Sequence, residues 1–518
     1  MRLKLSPIVS LLLFMTAVPN LLLLSLVGTV GYGTGIATAV AAGLVVAALG
    51  RGLVDDKTSI GPVIAAASLA LALALCLLGG QGRWFYANPD WQIRDALFAD
   101  LVANPWPFSY VMEAERWSLR APLAIYLAPA LIGKIGGERA AALAFLAQNT
   151  LYLGLLFCAV GTLLRAAGQR LLAILVVAFY GGPTIVGYAL FNAASGRPFA
   201  PDHIEAWSDF QFSSVVTQVF WVPHHCFPGF LFALAYVAWL GGRARWALPI
   251  GIIPLVAFWS PLAMIGTLPF GLHVGMAALL RREVWSRQIA LPIAATLTSL
   301  AAIVYLRSGA ASVPTWFGIY PLHIATDPAT DGSVAWVWAR KYVLFLLTSV
   351  VPALALLALA RRRIGLAWTP WVIVTATLVT ISLVWVGEGG DFGIRASIPA
   401  LFVLTIEVAK LAASFVEERP RTRWETGAAV GLAGLLALGS VTAALEIRRA
   451  IRRTPVAATC NLVDAWRASF FSNLSFATYL ARPEQFPDVL RPRTTHDVQA
   501  SAQPRSCWTG EWAKPHLR

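Results

Sequence analysis

Apolar runs of about 20 residues recur along most of this chain, and they constrain its fold more than any other feature. Of the 518 residues, 58% are hydrophobic and 13% are charged, whereas a soluble domain carries about 25% charged residues. A run of this length crosses the hydrocarbon core of a bilayer as one helix. The sequence therefore predicts an all-α, polytopic membrane protein rather than several soluble domains.

The apolar runs predict about thirteen transmembrane helices. The predicted segments are 7–27, 30–50, 60–80, 140–164, 171–192, 227–241, 246–259, 261–280, 288–307, 340–360, 366–386, 396–416 and 424–445. Together they form a membrane bundle over residues 1–445, which a polar tail follows at 446–518.

Basic residues occupy alternate connections between these helices, which predicts the orientation of the chain. If the N-terminus is cytoplasmic, every inside connection carries arginine or lysine, as the positive-inside rule requires. The residues are Arg2, Lys4, Arg51, Lys57, Arg165, Arg170, Arg243, Arg245, Arg281, Arg282, Arg287, Arg361, Arg362, Arg363, Arg419, Arg421 and Arg423. This placement explains the net charge of +14 without nucleic-acid binding, because the chain has no basic stripe or nucleic-acid motif.

The same alternation of basic connections predicts that the C-terminus lies outside, together with three long loops at 81–139, 193–226 and 308–339. In a bacterial inner membrane this side is the periplasm. The stretch 118–137 holds an apolar run of about 13 residues, which is short for a span, so we predict a re-entrant or interfacial segment there. Because the outer compartment is oxidising, Cys460 and Cys507 of the tail are predicted to form a disulfide.

An acidic helix is predicted in the first outside loop, where the chain reads NPDWQIRDALFADLVANP. Asn88 suits the N-cap and Pro89 the first helical position. Asp90 and Arg94 are four residues apart and can pair, whereas Asp90 and Asp95 lie about 140° apart around the helix and share no face. The apolar residues predict one membrane-facing side, made of Trp91, Leu97, Phe98, Leu101 and Val102.

Several stretches between residues 84 and 405 resemble the GT-C superfamily of integral-membrane glycosyltransferases. They are NPDWQIRDALFADL, PLAIYLAPALIGK, FWVPHH, FWSPLAMIGTLPF and DFGIRASIPALF. The resemblance implies a sugar donor carried on polyprenyl phosphate, and a catalytic base that is an aspartate of the first outside loop, here Asp90 or Asp95. Two extra helices precede that loop, and the chain has neither a WWDYG-type signature nor a DxD triplet, which disfavours the oligosaccharyltransferase branch.

Transfer from a lipid phosphate also needs cations that stabilise the departing phosphate. Arg395 follows a glycine-rich turn at a helix start and suits this role, although an ion pair with Asp391 is the alternative. His224 and His225 precede a helix and can bind phosphate, but adjacent side chains are expected to point apart. Arg340 and Lys341 stand at an outer helix end, where snorkelling explains them equally well.

Other side chains of the outside loops suggest weaker hypotheses. Trp91 and Trp117 can stack against sugar rings, although an aromatic belt explains most of the tryptophans. His203, Glu205 and Asp209 offer metal-ligand types, but no motif supports a divalent metal and no cofactor is predicted with certainty.

The sequence therefore predicts an inverting glycosyltransferase of the bacterial inner membrane, with a periplasmic active face and a glycan or lipid acceptor. The general base would be an outside-loop aspartate. Three alternatives remain open: an envelope polysaccharide polymerase or ligase that relies more on Arg395 and His224, a transporter or flippase of lipid-linked glycans, and a non-catalytic assembly partner.

Overall fold

Helices make up most of the chain in a computed structural model that describes residues 2–164, 166–312, 315–317, 332–386, 391–470, 472, 476–501 and 506–512. The helices up to residue 240 are α1 Leu5–Leu26, α2 Tyr32–Arg51, α3 Pro62–Leu78, α4 Trp91–Ala103, α5 Ala124–Thr162, α6 Ala167–Phe179, α7 Thr184–Ala194, α8 Val215–Trp221 and α9 Pro223–Leu240. They continue with α10 Ala247–Val256, α11 Pro261–Leu280, α12 Ala290–Arg307, α13 Gly332–Ser349, α14 Val351–Ala360, α15 Trp368–Ile381, α16 Asp391–Ala396, α17 Ile398–Glu417, α18 Arg423–Arg452 and α19 Leu462–Ala468.

The chain is a multi-pass membrane protein by the length and apolar character of its helices. In the described residues eight helical segments are long and apolar enough to cross a membrane. They are Leu5–Leu26, Tyr32–Arg51, Ala124–Thr162, Ala167–Ala194, Pro261–Leu280, Arg287–Arg307, Ile398–Glu417 and Arg423–Arg452. Ala167–Ala194 joins α6 and α7, and Arg287–Arg307 adds a short turn before α12. A ninth span arises if Trp336–Ser349 and Val351–Ile364, which are bent by 48°, are counted together. Each predicted segment overlaps a helix, but several are short, such as α10 with 10 residues, so the predicted number of about thirteen spans is not confirmed.

Most of the stretch predicted to be re-entrant, residues 124–136, forms the first arm of a helical hairpin within α5. Gly137 has φ 77° and ψ −177°, a conformation that a side chain would strain, and it breaks the helix. The Tyr126 and Phe145 rings lie 5.8 Å apart and nearly parallel, and the Gln148 side chain donates to the Ile125 carbonyl at 2.9 Å. Residues 124–136 therefore run back along the second arm instead of extending it.

Four segments that the charge pattern assigns to the inside lie together in the structure. Strand β1 (Leu3–Lys4) pairs antiparallel with β2 (Ser59–Ile60). The Arg243 guanidinium donates to Thr58 and to the Thr162 carbonyl. This grouping fits the predicted parity of the helices around the N-terminus, and we call it the basic end of the bundle.

A four-stranded sheet, which the sequence does not predict, covers part of the opposite end of this mostly helical fold. Its strand order is β7-β4-β3-β8, with β3 Phe108–Met112, β4 Glu115–Leu119, β7 Leu480–Ala481 and β8 His496–Gln499. β3 runs antiparallel to β4 and parallel to β8. The tail predicted at 446–518 thus folds onto the first loop as one layer, because its strands complete a sheet that the loop begins.

A second strand pair joins the third predicted loop to the end of the predicted helical segment 366–386. β5 Thr315–Phe317 pairs antiparallel with β6 Val384–Val386. Most of the predicted loop at 308–339 lies outside the described residues, and so does the glycine-rich turn at 389–390.

Candidate functional site

The acidic helix α4 begins later and is more enclosed than the sequence predicts. Its N-cap is Asp90, whereas the Asn88 carbonyl accepts the Trp91 amide in the turn before the helix. The residues predicted to face the membrane are all buried, and so are Gln92, Arg94, Asp95 and Asp100. The prediction of a membrane-facing side is wrong because α5 packs against the helix and α19 of the tail covers it.

The predicted ion pair of the acidic helix is present. An oxygen of Asp90 lies 2.8 Å from Nη2 of Arg94, and the Asp90 side chain is 16% exposed. The buried Arg94 guanidinium also donates to the Trp221 carbonyl, at the end of α8. The tail adds the Tyr479 hydroxyl, which hydrogen-bonds to Arg94. Asp90 is thus a partly accessible carboxylate at the start of a buried helix.

Two histidines in the first turn of α9 face the same region. His224 and His225 are both buried, and their ring centroids are 3.8 Å apart, so the expectation that they point apart is wrong. His225 Nδ1 hydrogen-bonds to the Ser260 hydroxyl at 2.7 Å. The Tyr126 ring lies 6.2 Å from His224. The two imidazoles therefore lie side by side, packed between Ser260 and Tyr126.

Arg395 brings a second guanidinium to the histidines from the end of α16. It forms the ion pair that the sequence offered as the alternative, with Nη1 2.9 Å from Asp391. The pairing does not remove it from the site, because its charge acts on both His224 and His225. Helix α17 begins three residues later, so Arg395 lies at the end of α16, just before the break between two consecutive helices.

Burial, together with the charges of Arg94 and Arg395, keeps the histidines neutral. Burial, followed by these two cations, lowers the pKa of His224 well below its ordinary value. Burial, followed by His224 and the same two cations, lowers the pKa of His225 well below its ordinary value. Both imidazoles are therefore neutral at pH 7, and each can donate one hydrogen bond and accept another.

Three nitrogen atoms around this space have no hydrogen-bond partner among the described residues. They are Nε of Arg94, Nε of Arg395 and Nδ1 of His224, and all three are buried. A buried polar atom without a partner is costly, so native proteins rarely leave several together. We call Asp90, Arg94, His224, His225 and Arg395 the charged cluster. Its spare nitrogens suit a ligand with several acceptor oxygens.

Asp95, the second predicted catalytic residue, holds the tail in place. One carboxylate oxygen lies 2.9 Å from Nη2 of Arg83, and the other accepts the Ala458 amide at 2.6 Å. Burial raises the pKa of the Asp95 carboxyl, whereas the Arg83 charge and the Ala458 bond lower it. Both oxygens are therefore engaged by structural partners, and the geometry favours Asp90 over Asp95 as a base.

Asp100 makes a second link between α4 and the tail. Its Oδ2 accepts the Tyr110 hydroxyl at 2.7 Å and the Leu462 amide at 2.8 Å. The predicted disulfide between Cys460 and Cys507 is present beside this link, with Cα atoms 5.1 Å apart. The tail is thus attached to the acidic helix at two carboxylates, close to a covalent crosslink.

The buried Asp100 carboxyl should make stability depend on pH. Burial raises its pKa from 3.8 to about 7, so between these values the folded protein holds a proton that the unfolded chain releases. Its stabilising contribution is then complete below about pH 4 and is lost as the pH rises through about 7. Asp100→Asn keeps an acceptor without the charge, so the variant should gain in melting temperature over the wild type between pH 4.5 and 7.5.

A matched control for this titration is Asp497→Asn, since Asp497 pairs with the exposed Arg116 on the same sheet. We expect the melting temperature of the control to follow the wild type across the pH series. Parallel curves for the wild type and Asp100→Asn would contradict the assignment of the proton to Asp100.

Four other predicted site residues have partners away from the charged cluster. Lys341 pairs with Asp209 at 3.3 Å, and Arg340 lies over the Trp336 ring. Trp91 is buried and its indole donates to the Phe220 carbonyl, which argues against a sugar contact. Arg482 covers one face of Trp117.

The three hypothetical metal ligands are each engaged by another part of the protein. His203 Nδ1 lies 2.8 Å from Glu446, whose other oxygen accepts the Trp221 indole. Burial raises the pKa of Glu205 to about 7, and its Oε1 accepts the Ser214 amide. Among the described residues, no group of three or more His, Cys, Asp or Glu side chains is arranged to hold a metal.

Sequence reasoning missed several members of the site. Tyr126, Tyr479 and Ser260 were not singled out, and Arg94 was named only as a partner for Asp90. Tyr126 lies within PLAIYLAPALIGK and Ser260 within FWSPLAMIGTLPF, so two of the quoted motifs do reach the cluster. Tyr479 lies in the polar tail, where no local pattern marked it.

Comparisons with known proteins identify no relative, so the functional assignment depends on the geometry of the site. No family model matches the chain, and neither a curated protein nor a solved structure matches it.

Proposed function

We propose that the protein is a membrane glycosyltransferase of GT-C type that transfers a sugar from a polyprenyl-phosphate donor to a hydroxyl acceptor. The observation that supports this most is the trio of unpartnered nitrogens on Arg94, Arg395 and His224, beside the partly exposed carboxylate of Asp90. A phosphodiester supplies acceptor oxygens for the nitrogens. An acceptor hydroxyl supplies a proton for the carboxylate.

The charge balance of the cluster favours a phosphodiester. Arg94 and Arg395 are each paired with a carboxylate, and the histidines are neutral, so the cluster has little excess positive charge. The cluster therefore binds a ligand through hydrogen bonds more than through net positive charge. The phosphate that links a sugar to a lipid carries a single negative charge. It therefore matches the small positive charge of the cluster better than a free dianionic phosphate does.

In the proposed reaction the acceptor hydroxyl attacks the anomeric carbon of the donor sugar. The bond between this carbon and the phosphate oxygen breaks, and the phosphate leaves with the electron pair, while Asp90 takes the hydroxyl proton. Arg94, Arg395 and His224 donate to the phosphate as its charge grows. One displacement inverts the anomeric centre, and the lipid phosphate needs no protonation to depart.

The proposed orientation places the charged cluster on the periplasmic face of a bacterial inner membrane. It is supported by the basic end, where Arg243 and the N-terminal strand meet. The cluster and the sheet lie at the other end of the bundle. A lipid-linked donor then enters from the membrane, and an envelope glycan or lipid serves as acceptor.

Purified protein offered a panel of polyprenyl-phosphate sugars with glycan and lipid acceptors tests the proposal. We expect release of free polyprenyl phosphate from at least one donor, and a new glycosidic product in equal amount. No release from any donor, together with donor movement across the bilayer in liposomes, would contradict the enzyme and favour a flippase. Product formed with equal efficiency by Asp90→Asn would favour the polymerase or ligase that depends on Arg395 and His224.

Replacing Arg395 should remove a group that stabilises the transition state for this transfer. We expect Arg395→Gln to lower the turnover rate by roughly 10²-fold, because a charged donor to the leaving phosphate is lost. Initial rates of polyprenyl phosphate release would measure the effect. Arg116→Gln is the control, since Arg116 is an exposed residue of the sheet that pairs with Asp497, and it should change the rate less than twofold. Equal rates for the two variants would remove Arg395 from the site.

A further inference from the structure

A groove of about 810 Å³ lies where four helix ends meet, far along the bundle from the charged cluster. Its walls come from the end of α14, the start of α15, the end of α17 and the start of α18. Helix α17 runs from Ile398, next to Arg395, down to this groove at Glu417. The two sites therefore lie at opposite ends of the same helix.

Three consecutive arginines line the groove, and they differ in how far their hydrogen-bond capacity is used. Arg363 is fully occupied: it donates to the Ser414 hydroxyl and carbonyl and to Glu425. Arg361 stacks on the Trp368 ring at 4.3 Å and Arg362 is exposed. Within the described part of the chain, neither Arg361 nor Arg362 forms an ion pair or a side-chain hydrogen bond.

The connecting segment between α17 and α18, with the first residue of α18, adds positive charge to the surface around the groove. Glu417 and Glu418 line it, and Glu425 is engaged by Arg363 and by the amides of the helix cap. The same segment contributes three more exposed arginines, Arg419, Arg421 and Arg423. The three arginines and three glutamates that line the groove balance in number, so the excess positive charge comes from Arg419, Arg421 and Arg423 on the surrounding surface.

Apolar side chains around the groove place it at the membrane boundary. Leu359 is 63% exposed and Val416 62%, although both are large hydrophobic residues. Trp368 and Trp424 are about half exposed and line the groove itself. Tryptophans concentrate at the level of lipid headgroups, and exposed aliphatic residues beside them face the acyl chains.

We propose that this groove binds the headgroup phosphate of an anionic phospholipid from the surrounding membrane. Arg361 and Arg362 would hold the phosphate oxygens, Trp368 and Trp424 would flank the glycerol region, and the acyl chains would lie along Leu359 and Val416. The positive charge and the lipid-facing rim together select a lipid over a soluble anion. This site is separate from the charged cluster and does not depend on the proposed reaction.

Lipid binding by the full-length protein in detergent tests this proposal. Native mass spectrometry would compare phosphatidylglycerol with phosphatidylcholine of identical acyl chains. We expect phosphatidylglycerol to bind the wild type more tightly, and the double variant Arg361→Gln, Arg362→Gln to weaken that binding about tenfold. Equal binding of the two lipids, or unchanged binding by the double variant, would overturn the proposal.

Two further variants separate the groove from general charge effects. Arg281→Gln with Arg282→Gln removes the same charge at the end of α11, outside the groove, and should leave phosphatidylglycerol binding unchanged. Glu417→Gln with Glu418→Gln removes opposing charge from the groove and should strengthen binding. A loss of binding in the Arg281 and Arg282 variant equal to that of the groove variant would contradict a specific site.

Discussion

Asp90→Asn should lower sugar transfer by roughly 10²- to 10⁴-fold while the protein still binds its lipid-linked donor, because asparagine cannot take up the acceptor proton. The change keeps the side-chain size, and Asp90 makes no capping hydrogen bond that α4 would lose. It also releases Arg94 from its ion pair, so donor binding should be retained or strengthened. Rates of polyprenyl phosphate release and donor dissociation constants would measure the two effects separately.

Asp488→Asn is the matched control for this substitution. Asp488 pairs with Arg491 on the surface of the tail and is 89% exposed, so its loss should change neither rate nor binding by more than about twofold. If Asp90→Asn loses donor binding together with turnover, Asp90 has a structural role. If it transfers sugar at the wild-type rate, Asp90 is not the base.

Asp95→Ala should instead destabilise the attachment of the tail, by about 2–3 kcal/mol. The substitution leaves the Ala458 amide without its acceptor and removes the more buried of the two carboxylates that pair with Arg83. Hydrogen exchange at residues 455–468 and the melting temperature in detergent would detect the loss. Turnover per folded molecule should stay close to that of the wild type.

Glu138→Ala is the control for Asp95, since Glu138 is the second partner of Arg83 and is 59% exposed. We expect it to cost less than about 1 kcal/mol, as exposed ion pairs contribute little. The opposite pattern, with normal stability and lost turnover in Asp95→Ala, would make Asp95 the base and leave Asp90 as the partner of Arg94.

Local patterns in the sequence predicted the features that depend on neighbouring residues. Hydrophobic runs located the helices, and a spacing of four located the Asp90–Arg94 pair, because both follow from helical geometry. Two cysteines in one polar tail were enough to predict the disulfide. Burial was predicted less well: α4 looked amphipathic, since its covering comes from a tail more than 350 residues later, through bonds such as that of Leu462 to Asp100.

The composition of the charged cluster shows the same limit. Arg94, His224 and Arg395 come from three distant parts of the chain, and no periodicity indicates that they meet. Arg395 and the histidines were predicted to belong to the site from their residue type and from their position near helix starts. Arg340 and Lys341 were predicted on the same criteria, and these bind other partners because their helix end faces Asp209 and aromatic rings.

Photo-crosslinking with a diazirine-bearing polyprenyl phosphate sugar tests the central claim most directly, since it locates the donor on the protein without requiring the acceptor. The probe would carry the diazirine on the first isoprene unit, and crosslinked peptides would be identified by mass spectrometry. We predict crosslinks in the segments around His224 and Arg395, and their loss in the presence of excess unlabelled donor. Crosslinks confined to the groove of Arg361 and Arg362, or spread evenly over the lipid-facing helices, would contradict a donor site at the charged cluster.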